Sequence, residues 1–507
     1  MARRPPAAAT RVNLIRVMDL LQTHITSALC QTVFRRVRRT ERQRAWTLQA
    51  LVQFWTAVIL RAPEALSQAL VDTIDQREPM FPRIVATPEA FFQRCRDLRP
   101  AFFAEVFGRF TARLVEVVPP RYAAGVAPVR ARFTDILLLD GSRLAAIAHR
   151  LKLLWRERAV VLPGCLLGVY DLGRGLCRQL HFSADAAASE MTRAKVVLRA
   201  VARDTLLLGD RLYCTADFFE ALHTQGCWGL FRRHRHLSLH RLQRLSKRRH
   251  GGGCLEDWLV RAGSGVSAPP QLVRYIRWRA GGTRYELLTN VLAPARLAAA
   301  EALALYPYRW RIERMYYDLK EVLNLNRIYA ANPNAVAMQV YAAGIVYNAL
   351  RVAQGEVAAA AGLEPEEISP AKFFPKMVAA CQTYVVAQQW ERRVRRLNPH
   401  RRLRMLDWRT ERWASVSLPL LHVEARSETR RHRRYCPARR HWKSLAHVPG
   451  GRRLTKLSYR RCALTSPHRP FTIITFRRRF ISTYSNNSSS CVIGRECDAA
   501  KRPGYSL

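Results

Sequence analysis

Residues 136–140 read Ile-Leu-Leu-Leu-Asp, and residues 206–210 read Leu-Leu-Leu-Gly-Asp. Each is a short apolar run closed by an aspartate. Such a run reads as a buried strand, and its closing acid then stands at the carboxyl end of that strand, where ligands converge in open sheets. A third stretch, Tyr306-Pro-Tyr-Arg309-Trp-Arg-Ile-Glu313, runs on to Lys320 and holds a glutamate among aromatic and basic side chains. A lone aspartate after a strand more often caps the next turn than binds a ligand. Two in series with the downstream glutamate reverse that reading. Three carboxylates on core elements of a basic chain point to metal-assisted chemistry on a phosphodiester, because carboxylates suit Mg²⁺ and Mn²⁺ and no thiolate is needed.

The charge narrows the partner. The 507 residues include 84 Lys+Arg against 38 Asp+Glu, a formal charge of +46, while the apolar fraction of 49% is that of an ordinary globular protein. A field of that sign attracts polyanions, nucleic acid before an anionic membrane surface. No 18-residue stretch is apolar enough to span a bilayer, and Met-Ala-Arg-Arg-Pro-Pro lacks the apolar segment of a secretory signal. The twelve cysteines stand singly, without zinc-finger spacing. They read as reduced thiols of a cytoplasmic protein.

Residues 1–130 read as a helical, DNA-binding or accessory region. Leu14, Met18, Leu21 and Ile25 recur at helical spacing, as do Leu48, Leu51, Phe54 and Val58, with breaks at 61–63 and 78–82. The cluster Arg35-Arg36-Val-Arg38-Arg39 fits a solvated helix face as well as a DNA-contacting one. From about 131 the texture becomes strand-like, with strands at 136–139, 160–170 and 175–182, a helix over 186–204, a strand at 205–208, a helix over 213–225 and a strand at 226–231. This order predicts an α/β, mixed-sheet core of the ribonuclease H kind over 131–353. Residues 232–300 read as a β-rich insertion, charged and turn-rich to Gly253 and then with strands at 255–261, 271–279 and 284–291. A long helix is expected from Ala295 or Pro307 through Leu323, another apolar helix over 336–352, and a helical extension over 354–390. Residues 391–507 carry 29 Lys+Arg against 7 Asp+Glu and read as an Arg-rich, partly disordered tail.

Arg309, Glu313 and Lys320 fall at i, i+4 and i+11, close to one helical face. Tyr306 joins that face if Pro307 occupies the first turn, where proline is tolerated. On this geometry Glu313 faces metal while Arg309 and Lys320 engage phosphates. A surface salt-bridge ladder is the plainer alternative, since Glu313 also has Arg309 at i−4.

This spacing of Tyr, two residues, Arg, three residues, Glu, six residues, Lys resembles the signature of the IS4 family of DDE transposases. Asp140-Gly-Ser and Gly-Asp210-Arg-Leu-Tyr213 are similar to that family's other two acidic motifs, and the resemblance covers about 130–350. It implies a ribonuclease H-like catalytic domain in which Asp140, Asp210 and Glu313 bind two Mg²⁺ ions, with Mn²⁺ as substitute. Tyr306, Arg309 and Lys320 would contact DNA near the scissile phosphate, and Arg211 would reach a phosphate or face solvent. The expected partners are double-stranded DNA, as terminal inverted repeats and target, and a second copy of the chain in a synaptic homodimer, within the bacterial nucleoid. Trp258 and Trp278 are expected as base-stacking or sheet-packing residues of the insertion. A metal-dependent nuclease of the same fold and a catalytically inactive DNA-binding relative remain the alternatives.

Overall fold

The apolar runs at 136 and 206 do form neighbouring core strands. The computed structural model describes residues 13, 15–37, 44–75, 79–144, 164–265, 268–330 and 332–397. Leu14, Arg38, Arg39, residues 160–163 of the expected second strand and the tail from 398 onward lie outside them.

Seven helices precede the sheet among the described residues: α1 (Arg16–His24), α2 (Ser27–Val37), α3 (Leu48–Arg61), α4 (Leu66–Ile74), α5 (Pro88–Asp97), α6 (Pro100–Val117) and α7 (Ala127–Arg130). Local chemistry sets their starts. Thr47 Oγ1 accepts from Ala50 N at 3.1 Å to cap α3, and Thr87 caps α5 ahead of Pro88. Trp46, Phe54 and Phe91 interlock edge-to-face at the heart of this region.

The sheet begins with β1 (Ile136–Arg143), β2 (Cys165–Asp171) and β3 (Leu176–Ser183). It continues through α8 (Glu190–Leu198), β4 (Leu206–Gly209), α9 (Ala216–Gln225) and β5 (Trp228–Arg232). Four further strands follow, β6 (Leu239–His250), β7 (Gly253–Ala262), β8 (Gln271–Ala280) and β9 (Thr283–Thr289). Their spatial order is β3-β2-β1-β4-β5-β9-β8-β7-β6. β1, β4 and β5 are parallel, and β2 is antiparallel to both β1 and β3. The architecture is mixed α/β, with a helical N-terminal region and a mixed sheet.

Two strand expectations change. β1 does not stop at Leu139: it pairs with β2 as far as Arg143, opposite Cys165, so Asp140 lies inside the strand opposite Gly168. Gly141 and Ser142 are weak strand formers, but the longer β2 carries them in the ladder. The stretch 239–250, expected to be turn-rich, is the twelve-residue edge strand β6. Its side chains are mostly exposed on both faces, so it lacks the alternation that marks a half-buried strand. The inserted strands are also continuous with the core sheet, because β9 pairs with β5.

After the sheet, α10 (Ala299–Leu305), a 3₁₀ turn at Tyr306–Arg309, α11 (Trp310–Tyr317) and a π-helical turn at Asp318–Val322 replace the single long helix expected there. α12 (Pro333–Ala360) and α13 (Pro370–Leu397) follow. α12 is apolar around nearly its whole circumference and packs against α1, α3, α6 and β3. Polar groups fix its register. Asn348 Oδ1 accepts from Cys177 N at 2.8 Å while its Nδ2 donates to Cys177 O at 2.9 Å, continuing the ladder at the open edge of β3. The sheet thus has one face toward α6, α11 and α12, lined by Ile136, Leu138, Leu166 and Leu208. The other faces α8 and α9 and is lined by Leu137, Leu139, Leu167 and Leu207.

One buried ion pair ties the inserted strands to the approach of α10. Arg274 is fully buried and pairs with Asp257 through both carboxylate oxygens. Its Nη1 also donates to Val291 O at 3.1 Å and Leu297 O at 2.8 Å. Each of these acceptors belongs to a buried residue. Arg274→Met is therefore expected to destabilise the protein by about 3–5 kcal/mol, because Asp257 keeps a buried charge without its partner. Replacing Asp257 by Leu in the same chain should recover much of that loss, as read by urea denaturation.

Candidate active site

The register of β1 against β4 aligns the two aspartates. Ile136, Leu137 and Leu138 lie opposite Leu206, Leu207 and Leu208. Continued two residues, the same register brings Asp140 level with Asp210 on adjacent strands, whose usual spacing is about 4.8 Å. Pleating gives Asp140 the face of Ile136 and Leu138, which is the face covered by α11.

Glu313 lies in the first turn of α11. Arg309, in the preceding 3₁₀ turn, joins the acids: its Nη1 is 2.8 Å from Glu313 Oε1 and 3.9 Å from Asp140 Oδ2. Its guanidinium is stacked on exposed Trp310, 4.6 Å from the ring centroid. Arg309 is thus buried and turned toward the carboxylates. Lys320 Nζ donates to Ser142 Oγ and to Arg143 O, both at 2.7 Å, tying the π-helical turn to the end of β1. Burial holds this ammonium below the usual lysine range. Tyr306 is also buried, and its hydroxyl donates to Gly209 O at 3.2 Å beside Asp210. Tyr316 donates to Asp140 O at 2.8 Å. It packs against Gly168, where a Cβ would meet the phenol oxygen at 2.7 Å.

Asp210 keeps the local role of a cap, its Oδ1 accepting from Leu212 N at 2.7 Å at the start of the turn Arg211–Tyr213. Arg211 is exposed beside it. Of the sequence-read residues, the structure gathers Asp140, Asp210, Glu313, Arg309 and Lys320 around one end of β1 and β4. Tyr306 lies behind them, and Trp258 and Trp278 lie in the inserted strands. Trp258 is sandwiched with Arg241 and Arg244, and Trp278 donates to His250 O at 2.8 Å.

The sequence reading missed a fourth carboxylate. Glu190 opens α8 behind the cap Ser189 and accepts from the Tyr213 hydroxyl. It fell inside a helix expected to begin at 186. The Ser189 cap, followed at once by an acidic residue, was the signal for a later start. Asp318, also missed, is buried near Arg314 and pushed up to about 6, chiefly by burial.

The acids bear on one another. Burial raises Asp140 from the ordinary 3.8 to about 7; Arg309 opposes the shift, and Glu190, Asp210 and Glu313 add to it. A crowd of oxygen donors with one buried guanidinium among them has the chemistry of a site for hard divalent cations. Among the described residues, no three acidic, histidine or cysteine side chains already stand close enough together to cage an ion. The donor set fits; a preformed cage is absent.

Comparison with known proteins follows the geometry. Residues 166–349 match the family model described as the transposase DDE domain, a span that holds Asp210 and Glu313 and begins after Asp140. The "Putative transposase y4zB" of Sinorhizobium fredii (strain NBRC 101917 / NGR234) is 30% identical over 182 residues, 35% of this chain and 50% of that protein. The chain thus spans about half the length of the curated relative it matches. A cryo-EM structure of the piggyBac transposase synaptic complex with hairpin DNA is similar at 10% identity and a TM-score of 0.33, over 79% of this chain and 87% of that one. That likeness is too distant to bear on function. The family match and the sequence relative support a DDE transposase of the IS4 type over the part of the chain they cover. No helix among the described residues is long and apolar enough to cross a membrane.

The raised Asp140 carboxyl has a measurable consequence in metal-free protein. Between about pH 4 and 7 the folded chain holds a proton that the unfolded chain has released. This group's stabilisation is therefore full at low pH and lost as pH rises toward 7. In EDTA, Asp140→Asn should be more stable than the parent at pH 8, by up to about 4 kcal/mol. The difference should vanish near pH 4, as followed by thermal melting across pH.

Proposed function

We propose that this protein is a DNA transposase that cleaves phosphodiester bonds at the ends of its own element and joins the freed 3′-hydroxyls to target DNA. The observation that carries the reading is that Asp210 and Glu313 lie within electrostatic reach of Asp140 at one end of two parallel strands, in a chain whose residues 166–349 match the transposase DDE domain. The strand order β3-β2-β1-β4-β5, with β2 alone reversed within that set, supports a ribonuclease H-like core.

Asp140, Asp210 and Glu313 would hold two Mg²⁺ ions, or Mn²⁺ in their place. Such ions, when bound, activate the attacking water or hydroxyl and stabilise the leaving oxygen. The chain's own groups do the rest. Arg309 balances Asp140 and Glu313 in the free protein and would be available to a phosphate if divalent cations took over that balance. Lys320 and Arg211 flank the pair of aspartates and meet the backbone on either side. Tyr306, buried and donating to Gly209 O, holds the Asp210 turn against the helix that bears Glu313, in place of the DNA contact expected of it. Cleavage and joining are both phosphoryl transfers, so one site serves both steps. The substrates are the element's terminal inverted repeats and target duplex, brought together by a homodimer in the bacterial cytoplasm, on the nucleoid. The charge of +46 supports a polyanionic partner.

The test uses the full chain, linear duplex carrying the DNA that flanks its coding sequence, and Mg²⁺ or Mn²⁺. End-specific nicking and strand joining are expected. Glu313→Gln should lower both by roughly 10³-fold, equivalent to about 4 kcal/mol of barrier, while duplex binding persists. Cleavage without joining would make the protein a nuclease of the same fold. Binding without cleavage would make it an inactive DNA-binding relative.

A further inference from the structure

The far face of the sheet carries a device that the three-carboxylate reading does not use. Glu190 lies on the α8 side, whereas Glu313 and Arg309 approach from the α11 side. Its carboxylate stands against β1 at Gly141, in the space where any other residue would put its Cβ. A side chain at 141 would have to displace it. The same carboxylate accepts from Tyr213, whose ring is buried among Phe218 and Phe231 three residues beyond Asp210. Ser189 Oγ, accepting from Thr192 N at 3.3 Å, holds the helix start that carries Glu190. One side chain thereby touches the residue after Asp140 and grips the turn after Asp210.

We propose that Glu190 is a positioning residue that braces the Asp140 strand and the Asp210 turn from behind, fixing the relative position of the two aspartates through its contact with Gly141 and its hydrogen bond from Tyr213. The inference rests on the metal-site reading above and adds a supporting residue to it. Asp140 and Asp210 belong to different strands, and β4 ends at Gly209. Beyond that point no ladder bond between β1 and β4 holds the two acids in register. The Glu190 carboxylate supplies a link there. Partners of this supporting kind typically govern metal affinity by about 10- to 100-fold without touching the ion.

The test is calorimetric titration of Mn²⁺ into the full chain, with duplex binding measured alongside. The variants are Glu190→Ala, Tyr213→Phe and Gly141→Ala. Tyr213→Phe keeps the buried ring, and Gly141→Ala displaces only the end of a flexible side chain, so both retain the fold. All three should weaken Mn²⁺ binding by about 10-fold or more, and duplex binding without metal should be unchanged. Glu190→Ala combined with Tyr213→Phe should be no weaker than Glu190→Ala alone, because both remove one brace. Parent-like Mn²⁺ affinity in Glu190→Ala would overturn the proposal. So would loss in Glu190→Ala with parent-like affinity in the other two, which would make Glu190 a direct ligand. Asp140→Asn is the control for the site itself. If the parent binds no Mn²⁺, or Asp140→Asn binds it as the parent does, the metal-site reading fails and the brace falls with it.

Discussion

Strands β1 and β4 run side by side in parallel, Leu138 opposite Leu208, and the chemistry available to the carboxylates follows from that pairing. Parallel strands must be joined by a crossover, so the two aspartates come together although some seventy residues of chain separate them. The β2–β3 hairpin and α8 occupy that interval, and each leaves a group at the site. β2 presents Gly168 opposite Asp140, which makes room for Tyr316. α8 begins at Glu190, which fills the space left by Gly141. Two glycines on paired strands therefore admit one supporting side chain from each face, and a Cβ at either would push that support away.

Charge is the second constraint. Four carboxylates act on the environment of Asp140 or belong to it, and Arg309 is the buried cation that answers them. Removing a carboxylate from water is costly unless it is paired. Asp140 meets that cost by holding a proton to about pH 7. Metal ligation requires the deprotonated form, so in the proposed reading ion binding and proton release at Asp140 are one event. In the same reading, bound cations would take over the balancing of these two acids from Arg309, which would then be available to a phosphate.

The sequence was informative where one side of an element was buried and uninformative elsewhere. The triple-leucine runs announced β1 and β4, and the Arg309–Glu313 spacing placed an ion pair on one helical turn. β6 was missed because alternation is a signature of a face, and β6 buries neither. The end of β1 was set too early because Gly141 and Ser142 have poor strand propensity, which pairing with β2 overrides. Glu190 could not be read as part of the site at all. Its part depends on an empty volume at Gly141 and a hydroxyl from Tyr213, neither of which is a property of its own neighbourhood in the chain. Tyr306 illustrates the converse: its spacing was legible, but its burial against Gly209 depends on how the 3₁₀ turn enters the core.

The distribution of positive charge bears on what the inserted strands are for. Within β7–β9 each acid has an arginine partner: Asp257 is held by Arg274, Glu256 by Arg277, and Glu286 by Arg284 and by Arg233 beyond β5. Outside, β6 shows Arg241, Arg244, Lys247, Arg248 and Arg249, all exposed and without an acid in the strand. Charged residues on an edge strand have a common purpose of their own, preventing edge-to-edge pairing with other chains. One or two inward or edge lysines serve that purpose. Five cations over twelve residues exceed it, and their mutual repulsion in the free protein favours an arrangement in which a polyanion lies alongside. The pairing within β7, β8 and β9 is what allows this: with their acids already held by arginines, none is left to neutralise the strand at the rim.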